Sequence, residues 1–171
     1  SVIAMFLLHG LLILFVWGFA SAKGLSLASV FGLSPRKRLL AIRHGLIGYV
    51  AIFPWVFGLL WLITQVCEQL GIQPPVEPIH ELLFMETQPH IVGLTVLLAC
   101  IVGPIAEEVF FRGVLYSAIR KRRGRIVAMV ISAGLFSAAH TNVVGFLPIV
   151  VLGMFLAHLY EQSGSLLSSI A

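Results

Sequence analysis

Three ionisable residues, Glu107, Glu108 and Arg112, stand inside an otherwise apolar stretch of the chain. On membrane-insertion scales each such charge costs about 2.5–3.5 kcal/mol at the bilayer centre, which makes roughly 8–10 kcal/mol for the three. The large apolar neighbours in residues 91–115 return only about 4–8 kcal/mol. The stretch is therefore expected to insert only if these charges are paired, neutralised or turned toward water.

The spacing of the three charges divides them into a pair and a separate carboxylate. Glu108 and Arg112 are four residues apart, so they share one side of a helix and are predicted to form an ion pair. Glu107 points about 100° away from that pair, as a general base would if it faced water. A second interpretation stays open at this point, in which the pair is a buried staple between helices and Glu107 lies near water.

A histidine at the end of another apolar segment could complete a reactive site. His140 closes the stretch Phe136-Ser137-Ala138-Ala139-His140, where a lone histidine is commonly a hydrogen-bonded core residue. Together with Glu107 it could hold a water molecule and deprotonate it for attack on a peptide carbonyl. Zinc or di-iron binding is the alternative, but H-E-x-x-H is absent and adjacent glutamates diverge on a helix. We therefore predict no metal ligands and no cofactor.

The composition places these residues in a membrane. Apolar residues make up 59% of the 171 residues and charged residues only 11%, whereas a soluble domain carries about 25% charged residues. The apolar runs are continuous rather than alternating, which favours helices over the strands of a membrane barrel. The predicted fold class is all-α, a polytopic transmembrane helical bundle that forms a single domain over residues 1–171.

Five apolar segments approach the roughly 20 residues that a helix needs to cross a bilayer. Pro54 is expected to kink the second segment, and Gly103-Pro104 to interrupt the third. The five predicted spans are Val2–Ala22, Leu39–Ile63, Ile91–Ile119, Ile126–His140 and Phe146–Tyr160.

The basic residues predict the orientation of the bundle. Nine of the eleven Lys and Arg residues lie in two predicted loops, 23–38 and 120–125. Two predicted crossings separate these loops, so both are expected on the cytoplasmic side, with the acidic loop 65–90 opposite. This distribution favours topology and anionic headgroups as the role of the positive charge, and we predict no nucleic-acid partner.

The order of the two motifs resembles that of a known family. Glu107-Glu108-x-x-x-Arg112 followed by Phe136-x-x-x-His140 is similar to the first two signature motifs of the CAAX protease and bacteriocin-processing (Abi) family of intramembrane glutamate peptidases. The residues around the first motif, Gly103–Gly113, match closely. The stretch Tyr160–Leu166 is similar to the turn before the final catalytic helix of the family. The resemblance covers about residues 91–171.

The resemblance implies a metal-independent endopeptidase in a helical membrane bundle. It would make Glu107 the base that activates water, with His140 helping to hold that water and with Glu108 and Arg112 organising the site. The implied partners are the lipid bilayer and membrane-associated or prenylated protein and peptide substrates. Family members either trim prenylated CAAX proteins or take part in bacteriocin immunity and peptide maturation.

One family motif has no counterpart in these residues. The family pattern ends with His-x-x-x-Asn or Asp, thought to form the oxyanion hole, and this motif would fall just after Ala171. His158-x-x-x-Gln162 has a similar spacing, but it precedes the turn and receives no role. The chain is thus expected to be incomplete at its C-terminus or to lack these donors, each of which is worth about 10²–10³ in rate.

Two other functions stay open beside the peptidase. The first is a non-catalytic membrane scaffold or interaction subunit that keeps the polar core of the family, and other membrane subunits could then complete the site. The second is a small transporter with Glu107 as its proton site. No internal hydropathy symmetry in the sequence favours the transporter.

Overall fold

The protein is described by a computed structural model over residues 2–24, 38–72 and 88–170. These residues form helices joined by turns, without a strand in the described ranges, and this confirms the predicted all-α fold class. The predicted loops at 23–38 and 65–90 lie largely outside the described residues. The helices are α1 (Val2–Ala22), α2 (Arg38–Gln69), α3 (Pro89–Arg123), α4 (Arg125–Ala139), α5 (Phe146–Ser163) and α6 (Leu167–Ile170).

Three of these helices, α2, α3 and α5, are long and apolar enough to cross a membrane. Most large side chains of α2 are exposed, including Val50 and Trp55, as is expected for a helix that packs against acyl chains. The predicted helix at Val2–Ala22 is confirmed at both ends, while its crossing of the bilayer stays a prediction. The 15 residues of α4 are fewer than a full crossing needs.

The helix α3 carries the two glutamates and changes its winding on either side of them. It is π-helical at Leu98–Val102 and again at Val109–Tyr116, with a regular α-helical stretch, Gly103–Glu108, in between. The ring of Pro104 would crowd the carbonyl four residues earlier in an α-helix, and that carbonyl lies in the first π-helical segment. The expected interruption at Gly103-Pro104 is wrong, because the helix continues through these two residues, with its wider turns on either side of Gly103–Glu108.

The basic segment 120–125 is a tight helix junction and not the loop that its composition predicted. The last turn of α3 contains Arg120 and Arg123. Gly124 then takes a positive φ of 82°, which glycine adopts without strain, and α4 starts at Arg125. The positive charge of this segment is therefore held on helix ends.

Small residues bring α4 and α5 together. Ala128 and Ala157 are completely buried. A Cβ atom added at Gly153 would lie 3.1 Å from Cα of Ala133, so this position leaves no room for a side chain. Ser137 Oγ also donates a hydrogen bond to the Phe146 carbonyl, at 2.6 Å. Close packing of this kind is typical of membrane helices. The packed helices α4 and α5 form the surface against which α3 lies.

The short helix α6 covers the glutamate-bearing part of α3. Gly164 ends α5 in a left-handed conformation (φ 64°), and its amide donates to the Tyr160 carbonyl at 2.8 Å. The chain then folds back so that α6 contacts the stretch Gly103–Glu108 and α2. A Cβ atom added at Gly45 of α2 would lie only 2.6 Å from the Ser168 carbonyl oxygen. The backbones of α2 and α6 thus meet without a side chain between them.

Candidate active site

The predicted ion pair is present and sealed inside the protein. Glu108 Oε1 and Arg112 Nη1 are 2.7 Å apart, and the two side chains are 5% and 1% exposed. Arg112 Nη2 donates to the Gly153 carbonyl at 3.1 Å, and its guanidinium carbon lies 4.4 Å from the centre of the Phe136 ring. The arginine therefore binds a carboxylate on its own helix, a carbonyl of α5 and a ring of α4. This pair connects three helices.

Glu107, the neighbour of Glu108, faces an open cavity instead. Its Oε2 lies 3.8 Å from Nε2 of His140, and the two side chains are 26% and 35% exposed. One residue comes from α3 and the other directly follows α4. The cavity that holds both, hereafter the Glu107–His140 cavity, has a volume of about 380 Å³ and is lined by Leu11, Leu12, Phe15, Glu107, Phe110, Phe111, Ala139 and His140.

The imidazole of His140 is held in one orientation by its own helix. Nδ1 lies 2.8 Å from the Phe136 carbonyl oxygen. A carbonyl oxygen only accepts hydrogen bonds, so Nδ1 carries the hydrogen in this contact. In the neutral ring the other nitrogen, Nε2, is then an acceptor, and this is the nitrogen that points toward Glu107.

Two acceptors at this separation suit a bridging water molecule. An oxygen atom about 2.8 Å from both Glu107 Oε2 and His140 Nε2 satisfies ordinary hydrogen-bond lengths. Such a water would donate one hydrogen to each acceptor and keep its lone pairs for a substrate carbonyl. The carboxylate can then accept the proton as the water attacks, so the arrangement is suited to general-base hydrolysis.

The turn after α4 places His140. The turn contains Thr141, whose φ is 52°, an unusual and strained value for a β-branched residue. Asn142 Oδ1 accepts a hydrogen bond from the Gly145 amide at 2.7 Å. This contact is the turn chemistry that asparagine commonly provides. The strained residue therefore directly follows the histidine that faces Glu107.

The wall opposite the two polar groups comes from α1, which the sequence pattern did not connect to the site. Leu11, Leu12 and Phe15 line the cavity. The ring of Phe15 also meets that of Phe110 edge to face, with centroids 5.6 Å apart. Nothing in α1 signals this role, because its residues are mostly apolar and carry no motif. The wall is therefore suited to apolar groups.

A second polar cluster, which the sequence did not reveal, lies where α3 and α5 end. Tyr116 donates a hydrogen bond to Glu161 at 2.7 Å, and Arg120 forms an ion pair with the same carboxylate. Nearby, Arg125 donates to Nδ1 of His158 at 2.8 Å. Arg125 starts α4 and His140 follows its end, so His158 lies far from the Glu107–His140 cavity. Within the described ranges, no three His, Cys or Glu side chains converge as metal ligands would.

Three helices long and apolar enough to cross a bilayer define the class, an all-α integral membrane protein, and Glu107 and His140 approach each other in one of its open cavities. Residues 89–171 match the family model described as Type II CAAX prenyl endopeptidase Rce1-like. The resemblance of the motifs to the CAAX protease and bacteriocin-processing family is therefore confirmed for this part of the chain.

A curated relative supports the same assignment. The chain is 31% identical over 72 residues to a protein of Bacillus subtilis (strain 168) named "Putative membrane peptidase YdiL". The matched stretch covers 42% of this chain and 30% of that protein, so the chain spans about a third of the length of this relative. No solved structure gives a significant match.

Proposed function

We propose that this protein is a metal-independent intramembrane endopeptidase in which Glu107 activates water. The observation that supports this most directly is the approach of Glu107 Oε2 to His140 Nε2, at 3.8 Å, in one open cavity. The match of residues 89–171 to a family model of membrane endopeptidases supports peptide hydrolysis as the reaction at this pair. The two acceptors hold the water, and the apolar wall of α1 faces them.

The reaction follows from the chemistry of these two acceptors. The water oxygen attacks the carbonyl carbon of the scissile peptide bond while Glu107 takes one of its protons. A tetrahedral intermediate with a negatively charged oxygen forms. The bond from carbon to nitrogen then breaks, and Glu107 returns the proton to the leaving amine. One product gains a carboxyl group, the other gains an amino group, and the enzyme is unchanged.

Glu108 and Arg112 have a positioning role in this proposal. Neither side chain lines the Glu107–His140 cavity, and both are almost completely buried. Arg112 links α3 to α5 and to Phe136 of α4. Because Phe136 also holds the imidazole of His140 through its carbonyl, the pair keeps both reacting groups at a fixed separation.

The substrates we propose are membrane-associated peptides, including those with a prenylated C-terminus. Leu11, Leu12 and Phe15 offer such a chain an apolar wall beside the reacting groups. We further propose that the basic segments 23–38 and 120–125 face the cytoplasm, in agreement with the positive-inside rule.

The direct test replaces the base without changing the size of its side chain. Glu107→Gln in the full chain, reconstituted in liposomes, is expected to lower kcat/KM on a prenylated CAAX peptide by about 10²–10⁴-fold. Mass spectrometry would measure the cleavage. Glu68→Gln, the same change at an exposed residue near the end of α2, is the matched control and should leave the rate unchanged.

Three outcomes would count against parts of this proposal. Full activity of a folded Glu107→Gln protein would remove Glu107 as the base. Activity that is lost to a chelator and restored by zinc would contradict the metal-independent reaction. A wild-type chain that inserts and folds but cleaves none of the peptides would favour the non-catalytic scaffold.

A further inference from the structure

A second groove lies between α1 and α3, near the C-terminal ends of both helices, where basic residues occur. Its volume is about 730 Å³, and its inner part is formed by Phe19 of α1 and by Gly113 and Val114 of α3. Lys23, Lys121 and Arg122 line its outer part. We call it the basic groove.

The cations of the basic groove differ from the neighbouring ones in their partners. Arg120 pairs with Glu161, and Arg125 donates to His158. By contrast, no carboxylate within the described ranges forms an ion pair with any of the three groove cations. Three cations without a carboxylate partner in the described ranges therefore lie where the groove opens, and Arg123, which does not line the groove, is a further one at this junction.

The charged end continues into an apolar strip that runs toward the Glu107–His140 cavity. Phe15, Phe19 and Lys23 follow one another at intervals of four residues, so they lie on one side of α1. The rings of Phe15 and Phe19 stack with centroids 6.5 Å apart. Phe15 lines the Glu107–His140 cavity and Phe19 lines the basic groove. The two sites thus share one strip along α1.

We propose that the basic groove binds an anionic phospholipid, with its phosphate at Lys23, Lys121 and Arg122 and an acyl chain along Phe19 and Val114. Three cations at the ends of membrane helices match an anionic headgroup, and the apolar strip behind them matches its chain. A water-soluble acidic peptide would use the cations but would leave this strip without a partner. The proposal does not depend on peptidase activity.

The test measures lipid binding to the full chain in mild detergent by native mass spectrometry. Phosphatidylglycerol and phosphatidylcholine with the same acyl chains are compared, and phosphatidylglycerol is expected to bind more tightly. The double variant Lys121→Gln/Arg122→Gln should weaken phosphatidylglycerol binding about 25-fold, since each cation near an anionic headgroup contributes a factor of about five. Phosphatidylcholine binding should not change.

Two further variants test whether phosphatidylglycerol binding depends on the basic groove or only on the net charge of the protein. Arg123→Gln removes one charge, against two in the double variant, from the next residue, which does not line the groove. It should leave the affinity within about twofold, whereas an effect of net charge alone would lower it about fivefold. Lys121→Arg/Arg122→Lys keeps the charge and should keep the binding, with circular dichroism confirming that every variant folds. Equal binding of the two lipids, or a loss of about fivefold or more in Arg123→Gln, would overturn the proposal. So would an acidic peptide that binds the groove and is not displaced by phosphatidylglycerol.

Discussion

Glu107 and Glu108 are the same residue type at adjacent positions of one helix, yet they have opposite surroundings. Glu108 is sealed against Arg112, with 5% of its side chain exposed. Glu107 is 26% exposed in an open cavity, beside a histidine from a different part of the chain. One step along a helix rotates a side chain by about 100°. Because of that rotation, Glu108 is suited to holding helices together, whereas Glu107 is suited to accepting a proton.

The difference teaches that a charge within a membrane segment can be tolerated in two ways. The sealed carboxylate is compensated by a cation on its own helix and by the packing around that cation. The open carboxylate depends on a cavity that admits water. Stability and catalysis are therefore expected to respond to different members of the pair, and the following predictions test this separation.

The largest expected effect on the free energy of unfolding comes from removing Arg112, the cation of the buried pair. Arg112→Ala leaves Glu108 buried without its partner, which should lower the free energy of unfolding by about 3–5 kcal/mol. Glu107→Ala should change it by less than about 1 kcal/mol, because this side chain reaches the cavity. Denaturant titrations in detergent micelles, followed by circular dichroism, would measure both. Equal losses would show that the two carboxylates are not distinct.

On the open side, we expect His140→Ala to impair the reaction and not the fold. The change removes one acceptor of the proposed water, so kcat should fall by about 10²-fold, equivalent to about 2.7 kcal/mol. KM and the midpoint of thermal unfolding should change little. His44→Ala, at an exposed histidine of α2, is the matched control. A variant that keeps its full kcat would remove His140 from the mechanism.

The helix α6, which covers the buried Glu108–Arg112 pair, can be displaced by a substitution in α2. Gly45→Ala places a methyl group 2.6 Å from the Ser168 carbonyl oxygen, so α6 must shift, at a cost of about 1–3 kcal/mol in unfolding free energy. Gly58→Ala, on the same helix but with nothing within 4 Å of the added carbon, should not destabilise the protein. Thermal unfolding of the two variants side by side would measure the difference. A loss of equal size in both would mean that the contact with Ser168 is not its cause, since helix propensity favours alanine over glycine at both positions.

The smallest expected effect comes from replacing both members of the sealed pair. Glu108→Met/Arg112→Met leaves no buried charge without a partner, so its unfolding free energy should lie within about 1 kcal/mol of the wild type. The same denaturant titration would show it as more stable than Arg112→Ala. A double variant less stable than that single variant would mean that the ion pair itself is indispensable to the fold.

Local spacing was enough to predict the sealed pair. Residues four apart on a helix are neighbours whatever the rest of the chain does, and the Glu108–Arg112 contact of 2.7 Å confirms it. Continuous apolar runs likewise predicted the helices, including the ends of α1. The π-helical segments of α3 were not predictable, because they depend on how that helix fits its neighbours around Pro104.

The contact between Glu107 and His140 could not be derived from spacing. It depends on the packing of α3 against the end of α4, and the two residues were paired beforehand only by the chemistry of their side chains and by the family resemblance. The cluster of Tyr116, Arg120 and Glu161 had no such guide. Its members lie on helices that meet only in the folded protein, and an isolated glutamate near a helix end is most often a solvated surface residue.

The wall that α1 contributes to the Glu107–His140 cavity has an evolutionary consequence. Leu11, Leu12 and Phe15 lie outside the stretch 89–171 that matches the family model, while Glu107 and His140 lie within it. The groups that would react and the surface that would select their target are thus encoded in separate parts of the gene. A mutation in α1 can therefore change what fits beside the pair without changing the pair itself.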